Sequence, residues 1–439
     1  GIRDDLVTGV QTCALPICDN KRVNAAFENG QQKAKRSRGR GAWGSASRKP
    51  GNHGIMTKKL FSAQDRREHA SRSMPRIIFD ALDGAAGRET ACRKNIEAFD
   101  EICLQSRVLV NVQSRSLQTE FLGQRWQVPF GVAPMGMCNL FWPGADEALA
   151  RAARELGFPL GVSTMASTSL EQLIDDANGN VWFQLYAGES DEVTFGLVER
   201  AQAAGYSHLI LTADVPVLPT RPRDFRNGFS VPFRMSAQNL LDFVLHPRWS
   251  LSTLAQGIPK PVNISEQTAL RRLPEFKRES GRDRIDWDFL AELRGLWRGK
   301  LILKGVMAER DAAQAVSSGV DAVYVSNHGG RQLESAPAAV KMLPRVRETV
   351  GIDFPLIFDS GVRNGDDIAR ALASGADFVM LGRPMLYALG GKGEAGLREF
   401  LRLLIDDLSV VMAQLGCRSP AELNADCLVR GLARQNPAD

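Results

Sequence analysis

Short apolar, β-branched runs alternate with amphipathic segments along most of the chain. Such runs, bounded by Gly, Pro or polar residues, are typical of buried strands, and apolar positions at helical spacing are typical of helices. Eight runs predict strands at Val128–Ala133, Pro159–Ser163, Val181–Tyr186, Leu209–Asp214, Leu301–Gly305, Ala322–Ser326, Pro355–Asp359 and Phe378–Gly382. The segments between them predict helices at Ala145–Leu156, Ser169–Ala177, Asp191–Ala204, Ala308–Ser318 and Asn364–Ser374.

This alternation predicts a parallel sheet, because a parallel neighbour is reached through a crossover helix. Eight strand–helix units is the number that closes a (β/α)₈ barrel. A doubly wound open sheet is the alternative, but no Gly-x-Gly-x-x-Gly follows the first strand. We therefore predict an α/β fold, a TIM barrel within residues 56–439, with an N-terminal helical segment and a long insert at about residues 215–286 after strand four.

Polar side chains follow nearly all of the predicted strands. In a (β/α)₈ barrel the carboxyl ends of the strands meet at one mouth, where the active site is built. The residues there are Pro134, Met135, Gly136, Ser163, Gln184, Tyr186, Thr212, Asp214, Lys304, Ser326, His328, Arg331, Asp359, Arg363, Gly382 and Arg383. Because buried polar groups need partners, this concentration predicts a large polar cofactor.

Two of these loops resemble phosphate sites. Asp359–Arg363 and Leu381–Arg383 each combine glycine with arginine, and they follow strands seven and eight, where barrels often bind a phosphate. Arginine suits phosphate because its fork donates two parallel hydrogen bonds.

The stretch Ser326–Glu334 combines a residue that titrates near neutrality, His328, with a permanent cation, Arg331. Together they could take a proton and hold an anion. The alternative is that both lie in an ordinary strand-to-helix loop. Their place among the other polar strand ends favours the chemical interpretation.

The first 55 residues differ from the rest, since they lack sustained periodicity and contain a basic run at 33–40. They hold ten Lys or Arg against four Asp or Glu, a net charge of +6 in a chain of net charge +5, so the remainder has a net charge of about −1. The basic balance of the chain is therefore a property of this segment.

A nucleic-acid-binding arm is one interpretation of that segment. A secretion signal at Leu6–Cys18 is excluded, because Asp4 and Asp5 stand where a positive region belongs. We favour a third interpretation, in which Asp4–Ile17 resembles translated sequencing-adapter sequence. Residues 1–55 would then be a non-native or disordered extension, with Met56 as the start, and no nucleic-acid partner is expected.

The seven cysteines are scattered, and the close pair Cys13 and Cys18 lies within residues 1–55. Neither a disulfide framework nor a metal site is indicated, and a reducing compartment fits best. No apolar stretch approaches the roughly 20 residues that span a bilayer.

Several motifs together resemble one known family. The most specific is Ser326–Leu333, and Phe183–Tyr186, Leu211–Asp214, Leu303–Val306 and Asp359–Arg363 match in order and spacing. They are similar to the FMN-dependent L-2-hydroxy acid oxidases and dehydrogenases, which include glycolate oxidase, L-lactate dehydrogenase and mandelate dehydrogenase. The resemblance covers nearly all of residues 56–439. It implies oxidation of an L-2-hydroxy acid, lactate-like or mandelate-like, to the 2-oxo acid.

The resemblance implies a role for each residue around the substrate. His328 would be the base, a role that typically contributes 10²–10⁴-fold in rate, and Asp214 would orient it. Arg331 and Arg221 resemble the pair that binds the substrate carboxylate. Tyr186 would donate to the substrate hydroxyl or carboxylate.

The resemblance also implies FMN contacts. Lys304 resembles the cation beside the N1–O2 edge of the flavin. The ring would be bound by Ser163, Gln184 and Thr212, with Pro134, Met135 and Gly136 close to N5. The ribityl-phosphate would be bound by Asp359, Arg363, Gly382 and Arg383. Ser326, Ser360 and Gly361 are further expected FMN contacts.

The chain departs from the family at several positions. Ala81 stands where a tyrosine normally bonds the substrate carboxylate, and Met165 stands where glycolate oxidases carry a tryptophan. Together they predict a bulkier or unusual substrate, so small acids such as glycolate are expected to be poor substrates. Ser360 in place of a second Gly, and Glu334 in place of Asp, are milder departures, and the Ser360 form is more like the bacterial lactate and mandelate dehydrogenases.

The insert contains an apolar stretch with a basic, aromatic end, Leu240–Trp249. In related dehydrogenases the equivalent insert contacts the membrane, which would let electrons pass to quinone; a lid or a subunit contact is an equal alternative. Oxygen, quinone and another carrier all remain open as acceptor. A homotetramer is expected, cytoplasmic or peripheral on the inner face of the cell membrane.

Two further hypotheses remain. One keeps the flavin chemistry but applies it to a larger metabolite or a modified peptide, because of Ala81. The other is an FMN-binding protein without turnover, which the presence of His328, Asp214 and both arginines disfavours. The choice between hydride and carbanion mechanisms is open.

Overall fold

The structure is a computed structural model that describes residues 60–188, 190–229, 236–265 and 282–429. The predictions for residues 1–55, and for the parts of the insert at 230–235 and 266–281, lie outside the described residues.

A closed parallel barrel forms the centre of the described chain. Its strands follow chain order from β3 to β10, and β10 pairs with β3 to close the ring. The strands are β1 (Thr119–Phe121), β2 (Gln124–Trp126), β3 (Phe130–Met135), β4 (Leu160–Ser163), β5 (Val181–Leu185), β6 (His208–Thr212), β7 (Lys300–Val306), β8 (Ala322–Val325), β9 (Leu356–Phe358) and β10 (Phe378–Leu381). The predicted (β/α)₈ fold is confirmed, and the open-sheet alternative is excluded by the β10–β3 pairing.

Helices surround the barrel and precede it. They are α1 (Ala63–Ser73), α2 (Arg76–Asp83), α3 (Thr90–Glu97), α4 (Cys138–Phe141), α5 (Ala145–Leu156), α6 (Leu170–Asp176), α7 (Asp191–Ala203), α8 (Pro222–Asn227), α9 (Ala237–Leu245), α10 (Pro247–Gln256), α11 (Val262–Ser265), α12 (Trp287–Leu296), α13 (Glu309–Ser317), α14 (Ala339–Val350), α15 (Gly365–Ala373) and α16 (Arg383–Leu415). No helix in the described part of the chain is long and apolar enough to cross a membrane.

The predicted helices agree closely with these bounds. Ser169 and Asn364, predicted as first helical residues, are N-caps whose side chains accept from the backbone N–H three residues on. Gly157 ends α5 at φ 66°, a left-handed conformation that glycine adopts without the steric cost of a Cβ. The long helix α16 was not predicted, and it is interrupted at Gly393, where φ is 64°.

An antiparallel hairpin, β1–β2, packs at the amino-terminal end of the barrel. Its Phe121 stacks on Phe378 with ring centroids 5.1 Å apart, and Trp126 meets Trp182 edge-on at 6.1 Å. These aromatic side chains are buried. The amino-terminal end is thus packed with aromatic rings, while the polar strand ends lie at the other end.

Helix α2 and the insert lie on the side of the polar strand ends. Pro75 separates α2 from α1, and the carboxyl end of α2 brings Ala81 and Leu82 to the barrel mouth. Arg223 in α8 ties the insert to this region, with hydrogen bonds of 2.8 Å to Asp83 and 2.7 Å to Glu89. The insert is therefore anchored beside the mouth by buried or half-buried ion pairs.

Candidate active site

Two adjoining cavities lie at the carboxyl ends of the strands. The inner cavity, of about 180 Å³, is lined by the ends of β3, β7, β9 and β10, and the outer cavity, of about 350 Å³, is lined partly by the insert. They share the side chains Ala81, Gly136, Phe141, Tyr186, His328 and Arg331. The predicted base and carboxylate-binding arginine therefore stand where the two cavities meet.

His328 follows β8 in a strained conformation. Its φ is 57°, which is uncommon for a residue with a Cβ, and its backbone N–H donates to Ser326 Oγ at 3.0 Å. The imidazole Nδ1 lies 2.9 Å from Asp214 Oδ1, and Nε2 lies 3.5 Å from the Tyr186 hydroxyl. With Nδ1 held by the carboxylate, Nε2 is the nitrogen that faces the cavities.

The protonation states of this pair follow from burial and charge. Burial lowers the pKa of His328 below its usual value, although the nearby Asp214 carboxylate opposes that shift. Burial alone would raise the pKa of Asp214, but the charge of Lys304 and the hydrogen bond with His328 lower it overall. At neutral pH the arrangement therefore holds an ionised carboxylate behind a neutral imidazole.

Lys304 is a buried cation at the end of β7. Its Nζ donates to Ser326 Oγ at 2.9 Å and lies 3.7 Å from Asp214 Oδ2 and 3.6 Å from Asp359 Oδ2. Burial opposes the charge, but the two carboxylates raise the pKa of Lys304. The ammonium group therefore stays charged at the inner cavity.

The loop after β9 is joined to the loop that carries His328. Ser360 has φ 88°, and its Oγ accepts from the N–H of Gly329 at 3.0 Å and donates to Asp359 Oδ1 at 2.8 Å. The departure from glycine at this position therefore has a structural reason. The hydroxyl bridges two loops, which offsets the strain of a left-handed serine.

Three guanidinium groups, those of Arg221, Arg331 and Arg383, approach one another at the mouth. Burial lowers the pKa of Arg331 well below its usual range, and the charges of Arg221 and Arg383 lower it further. Arg221 Nε is buried without a hydrogen-bond partner among the described residues. Such mutual repulsion favours a bound anion at this position.

Arg383 also holds the N-terminal segment in place. It donates to the backbone carbonyl groups of Leu82, Gly84 and Gly329 at 3.1, 2.8 and 2.8 Å. Arg331 donates to Gly84 at 2.6 Å. Both arginines therefore link the end of α2 to the barrel.

Most of the predicted cofactor residues line the inner cavity: Pro134, Met135, Gly136, Lys304, Asp359, Ser360, Gly361, Arg363, Gly382 and Arg383. Ser163, Gln184 and Thr212 do not line it. They form a buried row in which Ser163 donates to Gln184 and Gln184 donates to Thr212, each at 3.0 Å. Ser326 is also buried, between Lys304 and Asp359.

Sequence reasoning missed the support of the histidine loop. Asn327 and Asn95 exchange two side-chain hydrogen bonds of 2.7 and 2.8 Å, and Asn327 also accepts from the Gly330 N–H at 3.1 Å. Asn327 stands next to the motif histidine, which is a signal for its role. No sequence signal connects it with Asn95, which lies on α3.

Sequence reasoning also missed much of the outer cavity. Its walls include Asp224, Phe225, Phe229 and Arg282 from the insert. These residues follow no periodic pattern, so only the folded insert brings them to the site.

The donor set at the inner cavity fits FMN. The buried ammonium group of Lys304 lies at the end of β7 and suits the electron-rich edge of a reduced flavin. Arg363 and Arg383, with the glycine N–H groups of the loops after β9 and β10, suit a phosphate. The fold and this donor set define a (β/α)₈ enzyme with a phosphate-bearing cofactor.

A family model described as FMN-dependent dehydrogenase matches residues 70–430, and the chain belongs to this family. It is 38% identical to (S)-mandelate dehydrogenase of Pseudomonas putida over 387 residues, which are 88% of this chain and 98% of that protein. The predicted family, the FMN cofactor and the class, an oxidoreductase of the hydroxy acid dehydrogenase family, are thereby confirmed.

Solved structures agree with this assignment. A crystal structure of (S)-mandelate dehydrogenase, described as a monotopic membrane protein, has a TM-score of 0.80 and 38% identity, covering 85% of this chain and all of that one. Mandelate oxidase with (S)-2-phenylpropionate has a TM-score of 0.71 and 30% identity, covering 83% of this chain and 97% of that one.

Proposed function

We propose that the enzyme oxidises an L-2-hydroxy acid of the mandelate or lactate type to the 2-oxo acid, with His328 as the base. The observation that carries this proposal is the 2.9 Å contact of His328 Nδ1 with Asp214, which directs Nε2 to the junction of the cavities. Relatives named as mandelate dehydrogenase and mandelate oxidase support the substrate class.

Bound FMN supplies the two-electron acceptor for this oxidation. His328 Nε2 takes a proton from the substrate, and the Asp214 carboxylate stabilises the imidazolium that forms. Asp214 stays ionised because Lys304 and His328 hold its pKa low against the effect of burial. Arg331 and Arg221 bind the substrate carboxylate, and Tyr186 donates to the substrate. Bonds of this charge-assisted kind are worth about 1.5–3 kcal/mol each.

The inner cavity would hold FMN. Lys304 would face the ring, with the row Ser163–Gln184–Thr212 behind it and Pro134–Gly136 near the reacting edge. The loops after β9 and β10 would hold the ribityl-phosphate through their arginines and backbone N–H groups. The buried Lys304 ammonium would stabilise the negative charge that accumulates on reduction.

The outer cavity supports a substrate with a large side chain. Ala81 and Met165 contribute to a space of about 350 Å³ whose apolar lining includes Leu140, Phe225 and Phe229. A phenyl group suits such a lining. The alternative substrate, a larger metabolite or a modified peptide, uses the same chemistry and is favoured by the same volume.

The function is tested by anaerobic mixing of the holoenzyme with single 2-hydroxy acids. (S)-mandelate is expected to bleach the oxidised flavin absorbance, while the R enantiomer and glycolate are expected to react poorly. The matched control is His328→Asn, loaded with FMN. Efficient reduction by glycolate would refute the large-substrate proposal, and no reduction by any simple acid would leave the peptide alternative or binding without turnover.

The insert is proposed to contact a membrane surface. Leu240, Leu241, Val244 and Leu245 of α9 are exposed, as is Leu254 of α10, and the relative described as monotopic supports this assignment. Quinone then becomes the favoured acceptor over oxygen or a soluble carrier. We also propose that the enzyme is a homotetramer that is peripheral on the inner face of the cell membrane. Light scattering tests the number of subunits.

Sedimentation with anionic phospholipid vesicles tests the membrane contact. Leu241→Ser combined with Val244→Ser is expected to abolish co-sedimentation, and Ile352→Ser, an exposed apolar residue before β9, is the matched control. Equal sedimentation of the wild type, the double variant and Ile352→Ser would show that α9 does not bind the vesicles, and would favour a lid or a subunit contact for the insert.

A further inference from the structure

Arg282 is a charged residue in the wall of the outer cavity that the reaction as described does not use. It precedes α12, and the residue is only 8% exposed. Its guanidinium carbon lies 5.4 Å from the centroid of the Tyr186 ring. Tyr186 in turn presents its hydroxyl 3.5 Å from His328 Nε2. Arg282, Tyr186 and His328 therefore form a line from the insert to the proposed base.

A cation over an aromatic face has two physical effects. It attracts the electron-rich ring and so limits the rotation of the side chain, and the attraction is strongest where water is excluded. It also draws electron density from the phenol, which makes the hydroxyl a stronger hydrogen-bond donor. Both effects act on the group that faces the substrate.

We propose that Arg282 is a positioning residue for Tyr186: its guanidinium fixes the phenol ring and strengthens the hydroxyl as a donor to the bound hydroxy acid. The proposal rests on the proposed function of Tyr186 as a substrate donor. Through Arg282 the insert would then contribute to catalysis as well as to the shape of the cavity.

The charges around Tyr186 agree with this role. Burial raises the pKa of the phenol, and the Asp214 carboxylate raises it further, whereas Lys304, Arg282 and Arg221 oppose these effects. Removal of the Arg282 charge should therefore make the phenol less acidic. A role confined to holding the insert in place would leave this titration unchanged.

A double-mutant cycle in the FMN-loaded enzyme tests the coupling. The proteins are the wild type, Arg282→Met, Tyr186→Phe and the double variant, and the measurement is the dissociation constant of phenylglyoxylate from the flavin absorbance change. Arg282→Met is expected to weaken binding by about 3- to 30-fold, a range typical of a desolvated cation–π contact. In the Tyr186→Phe background the same change is expected to have an effect of less than about twofold, since the hydroxyl is already absent.

Arg284→Met is the matched control. Arg284 lies two residues away and also stacks on an aromatic ring, with its guanidinium carbon 5.6 Å from the centroid of Phe289, outside the cavity. The Arg284→Met variant is expected to bind phenylglyoxylate with the same dissociation constant as the wild type. An equal loss from Arg282→Met in both Tyr186 backgrounds, or the same loss from Arg284→Met, would overturn the proposal.

A second measurement needs no substrate. The sequence contains four tyrosines, so 3-fluorotyrosine labelling gives four ¹⁹F resonances, and Tyr186→Phe identifies one of them. Arg282→Met is expected to move its titration to higher pH, and Arg282→Lys to restore part of the shift. An unchanged titration would overturn the proposal even if the enzyme oxidises hydroxy acids. A shifted titration in a protein that no hydroxy acid reduces would support the contact while refuting the proposed function.

Discussion

The two walls of the site are built in different ways. The inner wall, taken as Lys304, His328 and Asp359 of the inner cavity with the buried Asp214 and Ser326 that contact them, comes from the ends of neighbouring barrel strands. Short polar contacts join these residues. The outer wall, consisting of Ala81, Met165, Phe225 and Arg282, comes from a helix end, a loop and the insert. Under the proposed function, the strand ends would supply the reacting groups, whereas the connecting segments would determine which substrate fits.

The largest effect on the inner wall is expected from a substitution of His328. His328→Asn is expected to slow anaerobic flavin reduction by about 10²–10⁴-fold, because the proton has no acceptor. Stopped-flow absorbance of the FMN-loaded variant measures the rate, and unchanged FMN content serves as the control. A reduction rate within a few-fold of the wild type would show that His328 is not the base.

The next effect concerns the stability of the inner wall. Lys304→Met leaves the carboxylates of Asp214 and Asp359 buried without their cation, and we expect the free energy of unfolding to fall by about 3–5 kcal/mol. Denaturant unfolding measures it. Lys300→Met, at the other end of β7, removes a half-exposed partner of Asp321 and should cost no more than about 1 kcal/mol. Equal losses from both variants would contradict the special position of Lys304.

The outer wall is tested at Ala81. Ala81→Tyr adds a hydroxyl and fills space at the junction of the cavities, so KM for L-lactate is expected to fall by about 10–100-fold, as for one charge-assisted hydrogen bond. KM for (S)-mandelate is expected to rise. Ala81→Phe fills the same space without the hydroxyl and separates the two effects. No change for either acid would mean that Ala81 does not contact the substrate.

The smallest expected effect is a pH shift. His328 accepts a proton only when neutral, and its pKa is lowered by burial, so flavin reduction should slow as the pH falls through a value below the usual 6.5 or so. Asp214 opposes the lowering, so Asp214→Asn should move this acid limb to lower pH. Asp191→Asn, outside the cavities, should not. A limb that moves to higher pH in Asp214→Asn would contradict the electrostatic role of the carboxylate.

The inner wall could be predicted because each residue follows its own strand. In a parallel barrel the strand ends converge by topology, so the order of motifs along the chain already groups Lys304, His328 and Asp359. The structure joins Ser163, Gln184 and Thr212 by hydrogen bonds, but this row is buried and does not line the inner cavity, and its contact with the flavin ring stays a prediction. Whether a strand-end side chain faces the cavity or a neighbouring strand depends on register and packing.

The sequence by itself determined the barrel, its order of strands, the polar strand ends and the resemblance to a flavoenzyme family, because alternation and motif spacing are local properties. Only the tertiary structure decided how Ser360 joins two loops, how Asn95 supports Asn327 and how Arg282 meets Tyr186. These contacts join residues far apart in the chain through side-chain packing, and no local pattern encodes such distances.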